Sequence, residues 1–231
     1  MSTAIITGGS RGLGLALAGA LVNAEWDVII DGRSVSSIER AAVSLGAHVT
    51  VVPGDVGDPS HREELVRRAA QLGGLDLLVN NASDLGPTPL PALRDVDPEA
   101  LVELYRVNVV APLALVQLAL PLLERSGGVV VNVTSDAAVE AYEGWGAYGS
   151  SKSALEQMSH VLVVEEPALR VWCFDPGDMR TDMHQAAFPG EDISDRPMPE
   201  DVAVPAFLEL LATRAPSGRV RASDVVSGWR S

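Results

Sequence analysis

The chain has 231 residues, of which 47% are hydrophobic and 21% charged, so it can bury one sizeable core and is not intrinsically disordered. Its 17 basic and 31 acidic residues give a formal net charge of −14. This balance disfavours sequence-independent binding to nucleic acid and docking on anionic membranes, because both need a positive surface. We therefore expect neither nucleic acid nor a membrane among its partners.

The single cysteine, Cys173, excludes an intramolecular disulfide and favours a reducing compartment, so we expect a cytoplasmic protein. Its apolar neighbours in 171–174 predict a buried structural thiol. The N-terminus lacks the basic and apolar regions of a signal peptide. The apolar stretch 107–123 falls short of the roughly 20 apolar residues of a membrane span, and we interpret it as a buried helix. The four histidines are scattered, which predicts no metal site.

Short β-branched segments alternate with helical patterns along the chain. Strands are predicted at 3–7, 26–31, 48–52, 75–80, 128–134 and 169–174, with a weaker one near 219–226. Helices are predicted at 12–24, 35–45, 59–72, 98–123, 147–166 and 200–213. Asp58-Pro59 and Asp97-Pro98 are typical of helix N-caps followed by a first-turn proline.

Most of the predicted strands are nearly continuous apolar runs, which is typical of a parallel sheet that is covered on both faces. The βα alternation implies right-handed crossovers. The predicted fold is therefore α/β, a three-layer αβα doubly wound parallel sheet of Rossmann type, formed by residues 1–231 as a single domain. The segment 182–199 is rich in Pro, Asp and Glu, and we expect it to be a surface loop or a mobile substrate lid.

A glycine cluster follows the first predicted strand and opens the first helix, where the sequence reads Thr7-Gly8-Gly9-Ser10-Arg11-Gly12-Leu13-Gly14. Gly8 allows a tight turn, whereas Gly12 and Gly14 permit close approach of backbone to ligand and of helix to sheet. The free N–H groups and the positive end of the helix dipole suit a pyrophosphate. The cluster predicts a dinucleotide site, with a turn that binds no ligand as the alternative.

The spacing Thr-Gly-x-x-x-Gly-x-Gly resembles the short-chain dehydrogenase/reductase family, and the resemblance covers nearly all of the chain. The other motifs that carry it are Asn80-Asn81-Ala82, with Ser83 in place of the family's glycine, then Asn108, Ser135, Tyr148-x-x-x-Lys152, and Pro176-Gly177 followed by Thr181. The resemblance implies an oxidoreductase that transfers a hydride between a nicotinamide cofactor and a small-molecule carbonyl or alcohol substrate.

By the same resemblance, the catalytic residues are Asn108, Ser135, Tyr148 and Lys152. Tyr148 and Lys152 are four residues apart, so they share one helix face. A free phenol has a pKa of about 10, and we expect the nearby ammonium, with help from an oxidised nicotinamide, to lower it by roughly 3 units, so that Tyr148 can donate and remove a proton. Ser135 would hydrogen-bond the substrate oxygen. Asn108 would hold a water that links the lysine to solvent, with a structural amide as the alternative.

The resemblance also implies a cofactor site, formed by Gly8, Ser10, Arg11, Gly12, Leu13, Gly14, Arg33, Asp55, Val56, Asn81, Ala82, Tyr148, Lys152, Pro176, Gly177 and Thr181. Family members that use NAD(H) place an acidic residue where this chain has Gly32. Arg33 and Arg11 instead favour a 2′-phosphate, so we expect NADP(H) to be preferred over NAD(H). If the strand register were off by one residue, Asp31 would take the acidic role.

Two of these cofactor residues have an alternative role. Asp55 would bond the adenine amino group by resemblance, or else cap a helix. Thr181 would bond the nicotinamide carboxamide, or else cap a helix.

The expected substrate pocket contains Ser135, Tyr142, Trp145, Tyr148 and Met183. Tyr142 and Trp145 offer large contact area, although they could equally pack under the loop. His184 is interpreted as a surface residue. The predicted helices 98–123 and 147–166 carry more apolar residues than one sheet face needs, and the family pairs them across a two-fold axis, so we expect a homodimer or homotetramer. Two other functions stay open: a non-catalytic NAD(P)-binding sensor or scaffold, and an isomerase or dehydratase of the same fold.

Overall fold

The structure, a computed structural model, describes residues 1–227 and contains a parallel sheet of seven strands. The strands are β1 (Thr3–Ile6), β2 (Asp27–Gly32), β3 (Val49–Pro53), β4 (Leu77–Asn80), β5 (Val129–Val133), β6 (Arg170–Asp175) and β7 (Gly218–Arg221). Their spatial order is β3-β2-β1-β4-β5-β6-β7, and every neighbouring pair is parallel. The order reverses between β1 and β4, and this is where a doubly wound sheet opens a crevice at the carboxyl ends of its strands.

Helices cover both faces of this sheet. They are α1 (Gly12–Asn23), α2 (Val35–Leu45), α3 (Pro59–Gln71), α4 (Pro98–Tyr105), α5 (Ala111–Ser126), α6 (Gly146–Glu165), α7 (Asp182–Ala187), α8 (Ala203–Thr213) and α9 (Ala222–Ser227). Adjacent residues of β1 point to opposite faces. Ile6 belongs to one core cluster with Leu17 and Phe207, and Ile5 belongs to another with Leu65. The predicted three-layer αβα architecture is confirmed.

Two helix starts form as their sequences predict. The Asp58 carboxylate accepts a hydrogen bond from the Ser60 amide at 2.9 Å, and the Asp97 carboxylate accepts one from the Glu99 amide at 3.1 Å. A proline occupies the first turn of α3 and of α4, where its missing N–H costs nothing.

The prediction of a strand near 219–226 is wrong in its second half, because α9 begins at Ala222. In a helix, Ala222, Val225 and Val226 lie on one side and pack against the core cluster that contains α8. A strand would have placed Val225 on the face opposite to Ala222 and Val226. The segment 182–199 is likewise not a loop throughout, because α7 forms its first six residues.

The predicted helix 98–123 is interrupted by a π-helical segment, 106–110, and continues as α5 to Ser126. The whole stretch Pro98–Ser126 is long and apolar enough, by length and composition alone, to cross a membrane, and half of its most apolar window is buried. Leu115 and Leu123 belong to the core cluster of the sheet, so we assign the stretch to the protein core.

Cys173 is 1% exposed in β6, which confirms a buried structural thiol. Burial raises the pKa of this thiol to about 11.

Candidate active site

A single cleft of about 1050 Å³ follows the carboxyl ends of the strands. Most of the predicted site residues line it, namely Gly8, Ser10, Arg11, Gly12, Leu13, Arg33, Asp55, Val56, Asn81, Ala82, Ser135, Tyr142, Trp145, Tyr148, Lys152, Pro176, Gly177, Thr181 and Met183. Gly14 and Asn108 are not among the lining residues. The cleft has two ends: the nucleotide end lies at the glycine-rich loop and β2, and the substrate end lies around Ser135 and Tyr148.

At the nucleotide end, the glycine-rich loop requires glycine for two separate reasons. Gly8 and Gly12 have φ values of 66° and 53°, which side-chain-bearing residues rarely adopt. A Cβ at Gly14 would lie 2.5 Å from the Gly8 carbonyl oxygen, so α1 could not approach the loop this closely. The Asn81 side chain donates to the Thr7 carbonyl at 2.8 Å and so ties the loop to the end of β4. The loop is thereby held as a shallow cradle that exposes its amides at the start of α1.

A buried pair beneath this loop was not anticipated from the sequence. Asp31 accepts a hydrogen bond from the Gly8 amide at 2.5 Å, and its second oxygen lies 3.0 Å from His61 Nε2. The two side chains are 3% and 7% exposed. The only signal in the sequence is a carboxylate that follows the apolar residues of β2. Asp31 therefore fixes the loop from below, and it also lines the cleft.

The rim beside β2 carries the predicted arginines. Arg33 is exposed and lines the cleft. Arg11 pairs with Asp182 at 3.2 Å, but their side chains are 67% and 77% exposed, so the pair is weak. A Cβ at Gly32 would meet the Ser10 hydroxyl oxygen at 2.8 Å.

Asp55 and Thr181 occupy opposite sides of the cleft. Asp55 accepts a hydrogen bond from the Gly57 amide at 2.7 Å and lies 3.7 Å from Arg106, whereas Asp58 is the residue that caps α3. The alternative of a helix cap at Asp55 is therefore wrong. Thr181 does cap a helix, because its hydroxyl accepts the His184 amide of α7 at 3.3 Å.

The Asn108 carboxamide is completely buried and has no free hydrogen-bonding capacity. Its oxygen accepts from the Asp84 amide at 2.8 Å and from the Ser83 hydroxyl at 3.2 Å. Its nitrogen donates to the Asp84 carbonyl at 2.9 Å and to the Ser151 hydroxyl at 3.0 Å. An amide makes four such bonds, so the side chain has the structural role that was the alternative and cannot itself hold the predicted water.

Tyr148 and Lys152 lie one turn apart on α6, as predicted, and the Lys152 Nζ is 5.5 Å from the centre of the phenol ring. The predicted lowering of the phenol pKa is wrong for this arrangement. Burial raises the pKa of Tyr148, the carboxylates of Asp175 and Asp136 raise it further, and the Ser83 hydroxyl opposes the rise. Burial also lowers the pKa of Lys152 to about 8, and its Nζ donates to the Val133 carbonyl at 2.9 Å.

Ser135 lies two residues after the end of β5, and its hydroxyl donates to the Asp136 carboxylate at 2.9 Å. The Tyr142 hydroxyl donates to the other oxygen of the same carboxylate, also at 2.9 Å. A serine has only one proton, so Ser135 must turn away from Asp136 before it can donate to a substrate oxygen. Asp136 was not predicted as a site residue, although it is the residue next to Ser135.

A second network lies under the substrate end and was also not predicted. Arg219 of β7 donates to Asp175 at 2.8 Å, to Glu156 at 3.0 Å and to the Ser135 carbonyl at 3.3 Å. Arg221 donates to the same oxygen of Asp175 at 3.3 Å. Because the side chains of Asp175 and Glu156 are 4% and 7% exposed, these arginines neutralise buried charge. They also join the last strand to the backbone of Ser135.

Aromatic rings form part of the cleft wall at the substrate end. Trp145 lies 5.6 Å from Tyr148 in an edge-on arrangement and 5.9 Å from Phe188. His184 stacks on Phe188 at 4.9 Å, and its side chain is only 10% exposed. The interpretation of His184 as a surface residue is therefore wrong. The sequence interpretation did not include the short helix α7, which turns the His184 side chain toward the cleft.

Within residues 1–227, no group of three or more His, Cys, Asp or Glu side chains is arranged to hold a metal ion. The reversal of strand order, the glycine cradle and the Tyr148–Lys152 pair in one cleft together define a class, an oxidoreductase of Rossmann type that uses a nicotinamide dinucleotide.

The family model of the short chain dehydrogenases matches residues 2–192, and the chain belongs to this family. It is 35% identical over 182 residues to an uncharacterized oxidoreductase of Saccharomyces cerevisiae, over 78% of this chain and 71% of that protein. It is 32% identical over 199 residues to sepiapterin reductase of Bos taurus, over 79% of this chain and 74% of that protein. A short chain dehydrogenase from Shigella flexneri, solved in complex with NADP, superimposes with a TM-score of 0.89 at 29% identity, over 96% of this chain and 97% of that one.

Proposed function

We propose that the protein is an NADP(H)-dependent oxidoreductase that interconverts a carbonyl compound and an alcohol, with Tyr148 as the general acid and base. The observation that carries this proposal is the single cleft that joins the glycine cradle to the hydroxyls of Ser135 and Tyr148. When bound, the nicotinamide supplies or accepts the hydride. The protein then has to bind and orient both reactants and to move one proton.

The residues of the nucleotide end fit a dinucleotide. The glycine cradle leaves the space that a side chain would fill, and the start of α1 presents amides to a pyrophosphate. Asn81 and Ala82, at the end of β4, and Pro176 and Gly177, after β6, border the middle of the cleft. Thr181 lies opposite Gly12 and closes the cradle from the other side, because its methyl carbon is 3.6 Å from the point that a Cβ on Gly12 would occupy.

The preference for NADP(H) over NAD(H) is supported by charge and by space beside β2. Arg33 lines the cleft and has no hydrogen-bond or ion-pair partner among residues 1–227, so its guanidinium is available to a 2′-phosphate. Gly32 brings no carboxylate that would repel the phosphate. Each oxygen of Asp31 already has a partner under the loop, the Gly8 amide or the His61 ring, and this favours a structural role of the carboxylate over a role on the ribose hydroxyls.

At the substrate end, Tyr148 is set to give up its proton to a carbonyl oxygen during reduction. Burial and two nearby carboxylates raise its pKa, so the phenol is protonated at neutral pH. Ser135 supports the charge that develops on the same oxygen once its hydroxyl turns from Asp136 toward the substrate. In the reverse direction the phenolate must form first, so alcohol oxidation should accelerate as the pH rises, whereas carbonyl reduction should not.

The decisive experiment follows the loss of absorbance at the NADPH and NADH bands with a panel of aliphatic and aromatic carbonyl compounds. We expect turnover with NADPH and a lower kcat/KM with NADH. A clear rate with NADH and none with NADPH would overturn the cofactor preference. Tight binding of NADPH with no turnover of any carbonyl compound would favour a sensor or scaffold instead.

We also propose that the protein forms a homodimer or homotetramer through α4, α5 and α6. These helices and the π-helical segment expose apolar side chains that no part of residues 1–227 covers, namely Val102, Val110, Leu113, Leu118, Val161 and Val164. Light scattering at micromolar protein should give a mass of two or four chains. A monomeric mass would contradict this proposal.

A further inference from the structure

Asp136 is a carboxylate at the substrate end that the proposed reaction does not use. It begins a short 3₁₀ turn, 136–138, and lines the cleft next to Ser135. One oxygen accepts hydrogen bonds from the Ser135 hydroxyl at 2.9 Å and from the Ala137 amide at 2.8 Å. The other accepts the Tyr142 hydroxyl at 2.9 Å. The side chain is therefore held in a fixed position at the edge of the reaction site.

Asp136 differs from the nearby aspartates because its carboxylate has no cationic partner. Asp175 pairs with Arg219 at 2.8 Å, Asp178 with Arg196 at 3.6 Å, and Asp182 with Arg11 at 3.2 Å. Among residues 1–227, no ion pair within 4.0 Å includes Asp136. Its negative charge is thus compensated by hydrogen-bond donors alone.

Hydrogen-bond capacity shows which atom remains available. Each carboxylate oxygen can accept two hydrogen bonds. In the free enzyme, the Asp136 oxygen that faces Ser135 receives two hydrogen bonds, and the oxygen that faces Tyr142 receives one from the protein. When Ser135 turns toward a substrate oxygen, the first oxygen keeps only the Ala137 amide as a donor. The oxygen that faces Tyr142 has a vacant acceptor position in both states, and Tyr142 itself is 47% exposed and lines the cleft.

The short distance between Asp136 and the reaction site limits which position of a substrate can carry a hydrogen-bond donor that reaches Asp136. Ser135 Oγ is 2.9 Å from the carboxylate of Asp136, and Ser135 is also the group that would bond the reacting carbonyl oxygen. A donor that reaches Asp136 is therefore attached one or two bonds from the carbonyl carbon. The wall formed by Trp145, Phe188 and His184 is suited to a planar ring on the other side of the carbonyl.

We propose that Asp136 is a specificity-determining residue that selects ring-bearing ketones with a hydroxyl or amino group on the carbon next to the carbonyl. The donor hydrogen-bonds the available oxygen of Asp136 while the carbonyl oxygen is held by Ser135 and Tyr148. This inference rests on the proposed function, because it assumes that the carbonyl is reduced at Tyr148. It adds the chemical class of the substrate.

The test compares 2-hydroxyacetophenone with 2-methoxyacetophenone, which differ in the donor but have similar electronic effects on the carbonyl. For the wild-type enzyme with NADPH, we expect kcat/KM to be about 10- to 100-fold higher for the hydroxy compound, the range expected for a hydrogen bond to a charged group. In Asp136→Asn the amide presents a donor instead of an acceptor, so this ratio should fall to about one or below. The change in charge also acts on Tyr148, but it acts on both substrates and cancels in the ratio.

Glu140→Gln is the matched control. It removes one negative charge from the same segment, and Glu140 is exposed and does not line the cleft. Its hydroxy-to-methoxy ratio should equal that of the wild type. Tyr142→Phe is a second probe, because it removes the protein donor from the available oxygen. That variant should keep or increase the preference for the hydroxy compound, whereas loss of the preference would assign recognition to Tyr142 and overturn the role of Asp136.

Binding gives a measurement that does not require turnover. Calorimetric titration of the NADP⁺ complex of Tyr148→Phe, which lacks the phenol that moves the proton in either direction, should show the same difference in Kd between the two compounds and its loss when Asp136→Asn is added. If the wild type reduces both ketones at equal kcat/KM, or if Asp136→Asn keeps the wild-type ratio, the specificity role is wrong while the proposed function stands. If no ketone or aldehyde supports the oxidation of NADPH, the proposed function fails. The ratio of the two Kd values still tests the role of Asp136.

Discussion

The two ends of the cleft are formed by different parts of the polypeptide, main chain at one end and side chains at the other. At the nucleotide end the ligand-facing surface is largely main chain, shaped by glycines and fixed by Asp31 and Asn81 from below. At the substrate end it is made of side chains, with the carboxylate of Asp136 held by hydrogen bonds and that of Asp175 held by ion pairs to arginines. One end therefore depends on the absence of side chains, and the other on their identity.

This difference determines what a substitution does. At the nucleotide end, an added methyl group should affect folding and binding together, because it collides with backbone. At the substrate end, an isosteric change should alter rate or selectivity and leave the fold intact. Each prediction below tests one side of this contrast.

The largest effect is expected from Tyr148→Phe, which removes the transferable proton and keeps the ring. We expect kcat to fall by about 10²- to 10⁴-fold, the contribution typical of general acid–base catalysis, with the Kd for NADPH unchanged. Steady-state kinetics and a fluorescence titration with NADPH measure the two quantities. Tyr105→Phe, on α4 and outside the cleft, is the control and should behave as the wild type. Unchanged kcat in Tyr148→Phe would refute the acid–base role.

Next in size is Gly14→Ala, whose methyl group would lie 2.5 Å from the Gly8 carbonyl oxygen. We expect a loss of about 1–3 kcal/mol in the free energy of unfolding, with weaker NADPH binding, because the cradle and α1 must move apart. Urea denaturation followed by circular dichroism measures the stability. Gly74→Ala adds the same methyl group where no atom lies within 4 Å, and should change little. Equal stability of both variants would show that the close approach of α1 is not required.

Arg33→Ala should weaken NADPH binding and spare NADH. Loss of a charge-assisted bond to the 2′-phosphate predicts a KM for NADPH that is about 10- to 100-fold higher, with the KM for NADH within about twofold of the wild type. The comparison needs only initial rates with each cofactor. Arg40→Ala removes an arginine of α2 that bonds Ser37 and does not line the cleft, and it should leave both values unchanged. A parallel rise for both cofactors would contradict the assignment.

The smallest effect concerns Lys152 in the cofactor-free protein. Its pKa of about 8 in the fold lies below the ordinary lysine value of 10.5, so the buried ammonium destabilises the fold below pH 8, and this cost is relieved as the pH rises toward 10.5. Between about pH 8 and pH 10, the free energy of unfolding of the wild type should gain about 2 kcal/mol relative to Lys152→Met.

The difference between wild type and variant is the quantity to measure in this experiment. Burial raises the pKa of Tyr148 and of Cys173, so both groups destabilise the fold at high pH, but they do so equally in the two proteins. Urea titrations at several pH values supply the curves. A difference that does not change with pH would mean that Lys152 titrates in the fold as it does in the unfolded chain, so that burial does not lower its pKa.

The contrast between the two ends also explains what the sequence could predict. Strands, most helices and the glycine-rich turn are signalled by local patterns of residue types, and these elements were confirmed apart from the second half of the strand predicted near 219–226. The helix α9 and the π-helical segment were missed because tertiary packing outweighs the local pattern: Val225 and Val226 pack on the cluster around α8, and Asn108 is held by Asp84 and Ser151.

Hydrogen-bonded pairs of residues that are far apart in the chain could not be predicted from the sequence. Arg219 bonds the carbonyl of a residue 84 positions earlier, and His61 meets an aspartate 30 positions earlier. Nothing in the spacing of these residues signals the pairing. Among these unpredicted residues, only Asp136 could have been found from the sequence, because it is the neighbour of Ser135. The expected acidification of Tyr148 failed for a different reason: the effect of Lys152 was weighed without the cost of burying both groups.

The position of Arg219 and Arg221 on the last strand has a consequence for biosynthesis. A ribosome releases the cradle, Tyr148 and Lys152 well before it releases β7, and only β7 brings the two arginines to Asp175 and Arg219 to the backbone of Ser135. A nascent chain thus cannot organise its reactive end until β7 has left the ribosome. The order of synthesis itself delays catalytic competence.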